Sequence, residues 1–219
     1  MSGNLVQVGA DRNWMHDPGF DEAAMAEFEL RLARARPRSR PGYLRVKGAT
    51  LLGLEQAAAT TVAVALLTKV VTEYDDVLEV PWSHELLGSA YRGLGDLEQA
   101  ERHLRLCIET ADERRNGTTG STEVLLGEVL LDRGRIEEAG EALASQDPRQ
   151  LVWKSQAFRY AVAWARYEDR IGGEPGPWAR QALEVAADRE PQLRRDPSIG
   201  AVKADRSTLR EMKRLARRT

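Results

Sequence analysis

The chain has 219 residues, of which 42% are hydrophobic and 30% are charged. This composition is sufficient for one sizeable core and excludes a broadly disordered chain, and the length fits one or two domains. The 34 acidic and 32 basic residues give a formal net charge of -2. Such a balance provides no general attraction to nucleic acid or to anionic lipid, so binding of either would need a local patch.

Two features of the chain bear on its cellular compartment. The longest apolar stretch, residues 57–68, is shorter than the roughly 20 residues that cross a bilayer, so it predicts a buried helix. The single cysteine, Cys107, cannot form an internal disulfide, and the first residues lack the basic and apolar pattern of a secretion signal. We therefore expect a cytoplasmic protein without membrane contact, and the high arginine and alanine usage suggests a bacterial source.

The first part of the chain predicts an arm followed by helices. Residues 1–19 are polar and contain glycine, which is typical of a tethered arm, although the ring of Trp14 can dock on the remainder. Either Asp17 or Asp21 can cap the first helix. The range 42–74 then predicts a hairpin of two helices, the second of which is the apolar stretch.

Three more helical hairpins are predicted along the rest of the chain. Their helices are expected at about residues 82–94 and 97–114, 122–133 and 136–145, and 150–170 and 178–188. An expanded turn is expected at 172–177, and Thr208 with Glu211 matches a capping box for a short terminal helix. No alternating apolar and polar run typical of a strand interrupts the series, so the predicted fold class is all-α.

Two stretches of the chain repeat one spacing of aliphatic, small and glycine residues. Gly88 is followed by Gly95, and Gly127 is followed by Gly134 at the same distance. A period of about 20 to 50 residues is typical of arrays of helical hairpins. The interval from Gly88 to Gly127 is 39 residues, and the interval from Gly127 to Ala161 is 34.

This pattern resembles tetratricopeptide repeats, in which a Leu-Gly pair and an aromatic residue on one helix meet small and bulky residues on the next. The resemblance implies a right-handed α-solenoid of stacked antiparallel helix pairs, with capping helices at its N-terminal and C-terminal ends. It divides the chain into an arm (1–19), a repeat domain (20–198) and a basic helical tail (199–219). The implied packing positions are Leu87, Gly88, Tyr91, Gly95, Ala100, Leu104, Leu126, Gly127, Leu130, Gly134, Ala139, Leu143, Tyr160, Ala161 and Trp164.

The resemblance also implies that the first helices of successive hairpins line a concave groove. The mixture of charged and apolar residues there predicts a protein or peptide ligand with both kinds of contact. The alternative is that these side chains are only solvated, or are covered by the N-terminal arm. By register, the groove positions are Arg45, Glu85, Ser89, Arg92, Val124, Glu128, Leu131, Phe158 and Val162.

An enzyme would need a convergent set of reactive groups, and the chain shows none. The three histidines are scattered in sequence, and His84 begins a zinc-protease pattern whose second histidine is replaced by Gly88. Cys107 falls on a small apolar repeat position, which favours a packed thiol over a nucleophile. The segment 117–122 lacks the lysine of a phosphate-binding loop. We therefore expect no catalysis, no cofactor and no metal.

The strongest charge asymmetry lies near the end of the printed sequence. Residues 203–218 contain seven basic residues and two acidic ones. Leu209, Met212 and Leu215 would line one helical face, which predicts a capping helix with a solvated basic back. Our hypothesis is a non-catalytic interaction module that acts as an adaptor or regulatory subunit, with homo-oligomerisation left open. The alternative is a nucleic-acid-associated regulator that uses the basic tail.

Overall fold

The computed structural model describes residues 13–111, 118–195 and 199–218. Within these ranges every regular element is helical, with three short 3₁₀ turns and no strand. The predicted all-α class and the predicted stack of helix pairs are confirmed. The ten helices are α1 (Glu22–Arg34), α2 (Arg40–Leu52), α3 (Ala57–Glu73), α4 (Glu79–Gly93), α5 (Leu97–Thr110), α6 (Thr122–Asp132), α7 (Ile136–Ser145), α8 (Lys154–Ile171), α9 (Pro175–Ala187) and α10 (Arg206–Leu215).

Consecutive helices pack as four hairpins, α2 with α3, α4 with α5, α6 with α7, and α8 with α9. Successive hairpins then contact each other through α3 and α4, α5 and α6, and α7 and α8. The first helices also meet in order, because α4 contacts both α2 and α6, and α6 contacts α8. The four first helices therefore form one face of the stack.

Glycine makes the turn in the second and third hairpins. Gly95 has a φ of +81° and Gly134 a φ of +74°, a backbone region that only glycine enters without steric cost. In each turn a backbone N–H reaches back five residues, from Asp96 to the Tyr91 carbonyl and from Arg135 to the Leu130 carbonyl, at 2.9 Å in both. This is a helix C-terminal motif that satisfies otherwise unpaired carbonyls.

Glycine also allows the two helices of a hairpin to approach closely. A Cβ atom on Gly88 would lie 2.5 Å from Leu104 Cγ and 3.3 Å from the Ala100 carbonyl oxygen. The equivalent atom on Gly127 would lie 2.7 Å from Leu143 Cγ. The leucine of the second helix therefore occupies the space that a side chain on the first would need. The first hairpin follows the same rule, since a Cβ on Gly48 would lie 2.9 Å from Leu67.

The fourth hairpin uses alanine and aromatic rings instead. Ala161 of α8 is fully buried in a cluster with Ala179 and Ala182 of α9. Trp164 stacks on Trp178 with ring centroids 5.4 Å apart. Tyr160, Trp164 and Tyr167 also pack against the cluster of Val124, Leu143 and Ala163, so this aromatic group fills the space between the third and fourth hairpins.

An ionic network centred on the buried Glu101 joins the second and third hairpins. Glu101 on α5 accepts hydrogen bonds from Arg105 on its own helix at 2.8 Å, and from Arg133 and Arg135 in the turn between α6 and α7. Burial acts to raise the pKa of Glu101, but the hydrogen bonds from Arg105 and Arg135 outweigh it and lower that pKa. The network adds a directional contact to the apolar packing between neighbouring repeats.

The segment before α1 is fixed to α2. The Trp14 ring lies 5.1 Å from the Phe28 ring and 5.0 Å from the Tyr43 ring, so the predicted docking of this tryptophan is observed. Lys47 is buried, and its ammonium donates to the carbonyl oxygens of Asp17 at 2.6 Å and Gly19 at 2.7 Å. Residues 1–12 of the predicted arm lie outside the described residues.

The predicted starts of α4, α9 and α10 are about three residues too late, and that of α8 is about four residues too early. α9 begins at Pro175, because proline fits the first turn of a helix, where its missing N–H costs nothing. The expanded turn therefore ends at residue 174. α10 is capped by Asp205, whose carboxylate accepts from the Thr208 N–H at 2.8 Å, so the expected capping box at Thr208 does not form. Predicted positions in 112–117 and 196–198 lie outside the described residues.

α10 covers the exposed end of the fourth hairpin. Met212 and Leu215 are fully buried against α8 and α9. Arg214 and Arg218 both contact the Asp169 carboxylate on α8. Other cations of this helix, including Arg210 and Lys213, are exposed. The helix thus has the buried apolar face and the basic back that the sequence predicts.

Candidate functional site

A cleft of about 600 Å³ lies on the face formed by α4, α6 and α8. One wall is formed by Ser155, Arg159, Val162 and Arg166, which succeed each other along a single face of α8. The opposite wall is the segment 201–208, which precedes and begins α10. The cleft therefore lies between the repeat stack and the C-terminal segment.

The C-terminal wall has a specific attachment to the stack. The Ser155 N–H donates to the Gly200 carbonyl at 3.0 Å, and Val202 packs on the apolar cluster of the fourth hairpin. Gln192 bridges to the start of α8, donating to the Val152 carbonyl at 3.0 Å and accepting from the Lys154 N–H at 2.6 Å. These contacts give the cleft a defined second wall.

Four of the nine predicted groove residues line this cleft, namely Arg92, Glu128, Phe158 and Val162. Ser89 is exposed on α4 but is not part of its lining. The other four, Arg45, Glu85, Val124 and Leu131, have contacts elsewhere that are described below.

Arg92 and Glu128 form the centre of an ionic group at the α4 side of the cleft. The Arg92 guanidinium contacts Glu128 at 2.5 Å and Asp132 at 2.9 Å. Glu128 is buried, and its Oε2 atom also lies 3.5 Å from Arg159 Nε. On the far side, Arg166 forms a two-nitrogen contact with Glu211 of α10, with Nη2 at 2.8 Å from Oε2. This pair joins α8 to α10.

Glu85 and Arg45 are held in contacts within the fold. Glu85 is buried, and one of its oxygens accepts from the Thr122 hydroxyl at 2.6 Å and the Thr119 N–H at 3.1 Å. It therefore fixes the segment that leads into α6. Arg45 pairs with Glu79, and its Cζ atom lies 3.9 Å from the centre of the Trp82 ring.

Val124 and Leu131 belong to the core. Val124 is fully buried with Leu143 and Ala163, and Leu131 is part of the cluster that contains Leu104 and Leu130. The helix α6 is covered on nearly every side, since all of its residues from 122 to 131 are buried. An apolar side chain that the register places in the groove is therefore buried on this helix.

The sequence analysis missed Ser155, Arg159, Arg166 and the whole of the C-terminal wall. The first three were within its reach, because Phe158 and Val162 fix the helical register of α8 and residues four positions apart share a face. The wall has no such signal, because its place depends on where α10 docks.

The structure also brings together two histidines that the sequence separates. His84 on α4 and His103 on α5 have their Nδ1 atoms 3.0 Å apart, and His103 stacks on Tyr91. Burial, followed by the proximity of His103 and Arg102, lowers the pKa of His84 to about 4. Burial and Arg102 lower the pKa of His103 as well. Two of the three histidines, although distant in sequence, are therefore neighbours in space, but no set of three metal-binding side chains gathers in the described ranges.

Cys107 is fully buried on α5, with its sulfur 3.6 Å from the Thr122 hydroxyl. This placement matches the predicted packed thiol. Across the ranges 13–111, 118–195 and 199–218, no helix is both long and apolar enough to cross a bilayer.

Comparison with known proteins gives one match. A family model described as tetratricopeptide repeat matches residues 81–105 and 121–145. The first segment comprises most of α4 and the beginning of α5, and the second comprises α6 and α7. No curated protein and no solved structure matches the chain.

Proposed function

We propose that this protein binds a segment of another protein in the cleft between α8 and residues 201–208, and the match of residues 81–105 and 121–145 to the tetratricopeptide repeat model supports this. Repeats of this family generally mediate protein–protein interactions, and the family is typically a non-catalytic scaffold. The role is that of an adaptor or regulatory subunit, in which the cleft selects the partner.

The observation that carries this proposal is the position of the cleft on the shared face of the first helices. Side chains from α4, α6 and α8 converge there, so a bound segment would contact three successive repeats at once. Its volume of about 600 Å³ lies within the range of ordinary ligand sites. The second wall would flank the ligand on its other side, which the open surface of α3 would not do.

The test is selection of binding peptides from a random library displayed on phage, followed by anisotropy titration with the selected peptides. Ser155→Tyr places a ring in the cleft without removing the backbone bond to Gly200. We expect this variant to bind the selected peptides about tenfold more weakly than the wild type. Thr72→Tyr adds the same ring to the exposed side of α3 and should leave binding unchanged.

Selection of no peptide, or of peptides that bind the wild type and Ser155→Tyr equally, would contradict the proposal. Circular dichroism of both variants shows that the comparison is made between folded proteins. Equal weakening by Thr72→Tyr would indicate a general loss of structure and would also count against the cleft.

A further inference from the structure

The charged side chains of the cleft differ in how far their hydrogen-bonding positions are already occupied by partners within the protein. Arg92 is engaged by Glu128 and Asp132, and Arg166 is engaged by Glu211. Asp205 accepts from the Ser207 and Thr208 hydroxyls, the first of which is the main cause of the lowered pKa of its carboxyl group. These groups hold the protein's own structure together and have little capacity left for a ligand.

Arg159 and Lys203 have that capacity. Arg159 leaves 45% of its side chain exposed, and its ion-pair contact is to a Glu128 oxygen at 3.5 Å, longer than an ordinary hydrogen bond. Glu128 already accepts the shorter bond from Arg92. Lys203 is exposed on the opposite wall and has no ion-pair partner among the residues that the structure describes. The cleft thus presents two cationic donor groups, one from each wall.

The apolar residues that α8 contributes to the cleft offer little surface. Phe158 is 9% exposed and Val162 is 3% exposed, because both turn into the cluster of the fourth hairpin. On the opposite wall Ala201 is exposed and Val202 is half-buried, but the apolar surface of the cleft remains small beside its polar and charged lining, which limits the gain from hydrophobic burial. A ligand of this cleft would therefore gain more from charged contacts than from apolar ones.

We infer that the cleft takes an acidic segment of a partner protein, with an aspartate or glutamate carboxylate bound between Arg159 and Lys203. This inference rests on the proposed function and adds the chemistry of the partner. Guanidinium and ammonium groups both donate charge-assisted hydrogen bonds to carboxylates, and the guanidinium can do so with two nitrogens at once. The segment 201–208 supplies half of the site, so α10 must be docked for the ligand to bind.

The experiment compares charge variants in the peptide selection described above. Arg159→Glu with Lys203→Glu reverses both cations of the cleft. Arg210→Glu with Lys213→Glu makes the same change in net charge on the exposed back of α10 and serves as the matched control. A third protein, Arg159→Gln with Lys203→Gln, removes the cations without adding repulsion at Glu128.

The wild type is expected to select peptides rich in Asp and Glu. Their affinity should fall about tenfold or more in the reversed variant, by a smaller factor in the neutral variant, and not at all in the control. Replacement of Glu by Gln in a selected peptide should cause a similar loss. The wild-type interaction should weaken as sodium chloride is raised.

Peptides that depend on Ser155 but show no acidic enrichment would overturn this inference and leave the proposed function standing. An equal loss in the Arg210 and Lys213 control would trace binding to net charge and also overturn it. Succinate, a small dicarboxylate, is the second probe: displacement of the peptide by succinate, at concentrations where sodium chloride of equal ionic strength has no effect, would identify a small-anion site instead.

Discussion

The second and third hairpins differ from the fourth in how their helices are held together. In α4 to α7, a glycine on one helix lies under a leucine on the next, at Gly88 with Leu104 and at Gly127 with Leu143. Between α8 and α9, buried alanines and a group of aromatic rings make the corresponding contact between the two helices. The family model matches segments of the second and third hairpins and does not match the fourth. The same stacking of hairpins can therefore be reached without the residues by which the repeat is recognised.

The largest effect is expected from Gly88→Val. The added branched side chain would overlap Leu104, which lies 2.5 Å from the position of its Cβ, so the hairpin must open or distort. We expect a loss of about 3 kcal/mol in the free energy of unfolding, measured by urea denaturation. Gly93→Ala in the same helix is the control, because no atom lies within 4 Å of its added Cβ. It should be neutral or stabilising by up to about 1 kcal/mol, and equal losses at both positions would contradict the packing described for Gly88.

Met212→Ala tests the other region, where α10 closes the fourth hairpin. Met212 is fully buried, and truncation should cost about 2 to 3 kcal/mol through lost burial and the cavity that remains. Hydrogen exchange should then accelerate in α10 and in residues 201–208 before it does in α4 to α7. Peptide binding in the cleft should weaken in the same variant. Uniform acceleration over the whole chain would indicate that α10 is not a separable wall.

Gly140→Ala tests the junction between the two regions. A Cβ on Gly140 would lie 2.6 Å from the Tyr167 ring, which packs between the third and fourth hairpins. We expect a net cost of about 1.5 to 2 kcal/mol, because the steric overlap exceeds the gain in helix propensity. In a Tyr167→Leu background the overlap is relieved, so Gly140→Ala should cost less there than it does in the wild type. Strict additivity in thermal denaturation would contradict the contact.

Glu101→Gln tests the ionic network of the second and third hairpins. Its arginine partners are partly exposed, so solvent screening limits the expected loss to about 1 to 1.5 kcal/mol at neutral pH. The hydrogen bonds from these arginines lower the pKa of Glu101 below its ordinary value of 4.5 despite burial. The contribution is therefore complete above that ordinary value and is lost as the pH falls through the lowered pKa. A wild-type advantage that persists undiminished well into acid would contradict this assignment.

The smallest effect concerns the histidine pair within the second hairpin. In the folded protein the pKa of His84 is about 4, against an ordinary value of 6.5, so the unfolded chain binds its proton first as the pH falls. Stability from this group is complete above pH 6.5 and declines between there and about pH 4, by roughly 1 kcal/mol when measured to pH 5.5. His84→Gln should reduce that dependence. An unchanged profile in His84→Gln would contradict the lowered pKa.

The predictable parts of this molecule are those in which a position strongly favours one residue type. Glycine is favoured at Gly95 and Gly134 by their positive φ, and at Gly88 and Gly127 by the facing leucine. Such constraints are local to a hairpin, so they appear in the sequence as a spacing. They were sufficient for the fold class and for the positions of most helices.

The cleft was only partly predictable because its second wall is a long-range feature. The register of the repeats indicated Arg92, Glu128, Phe158 and Val162, which do line it. It could not indicate residues 201–208, whose position depends on the burial of Met212 and Leu215 in α10. Nor could the register show that the Glu85 carboxylate would be occupied by hydrogen bonds from Thr119 and Thr122. The repeat register therefore predicts which face of a helix a residue lies on. It does not show whether the side chain is free to bind a ligand.

The most direct measurement of the proposed function is the map of backbone amide chemical-shift changes when a selected acidic peptide is titrated into the labelled protein. The account predicts that the changes concentrate on residues 155–166 of α8 and on 200–208, with smaller ones at Arg92 and Glu128. They should disappear when Arg159 and Lys203 are both changed to Glu. Changes confined to the outer helices α3 and α5, with residues 155–166 and 200–208 unmoved, would contradict binding in the cleft.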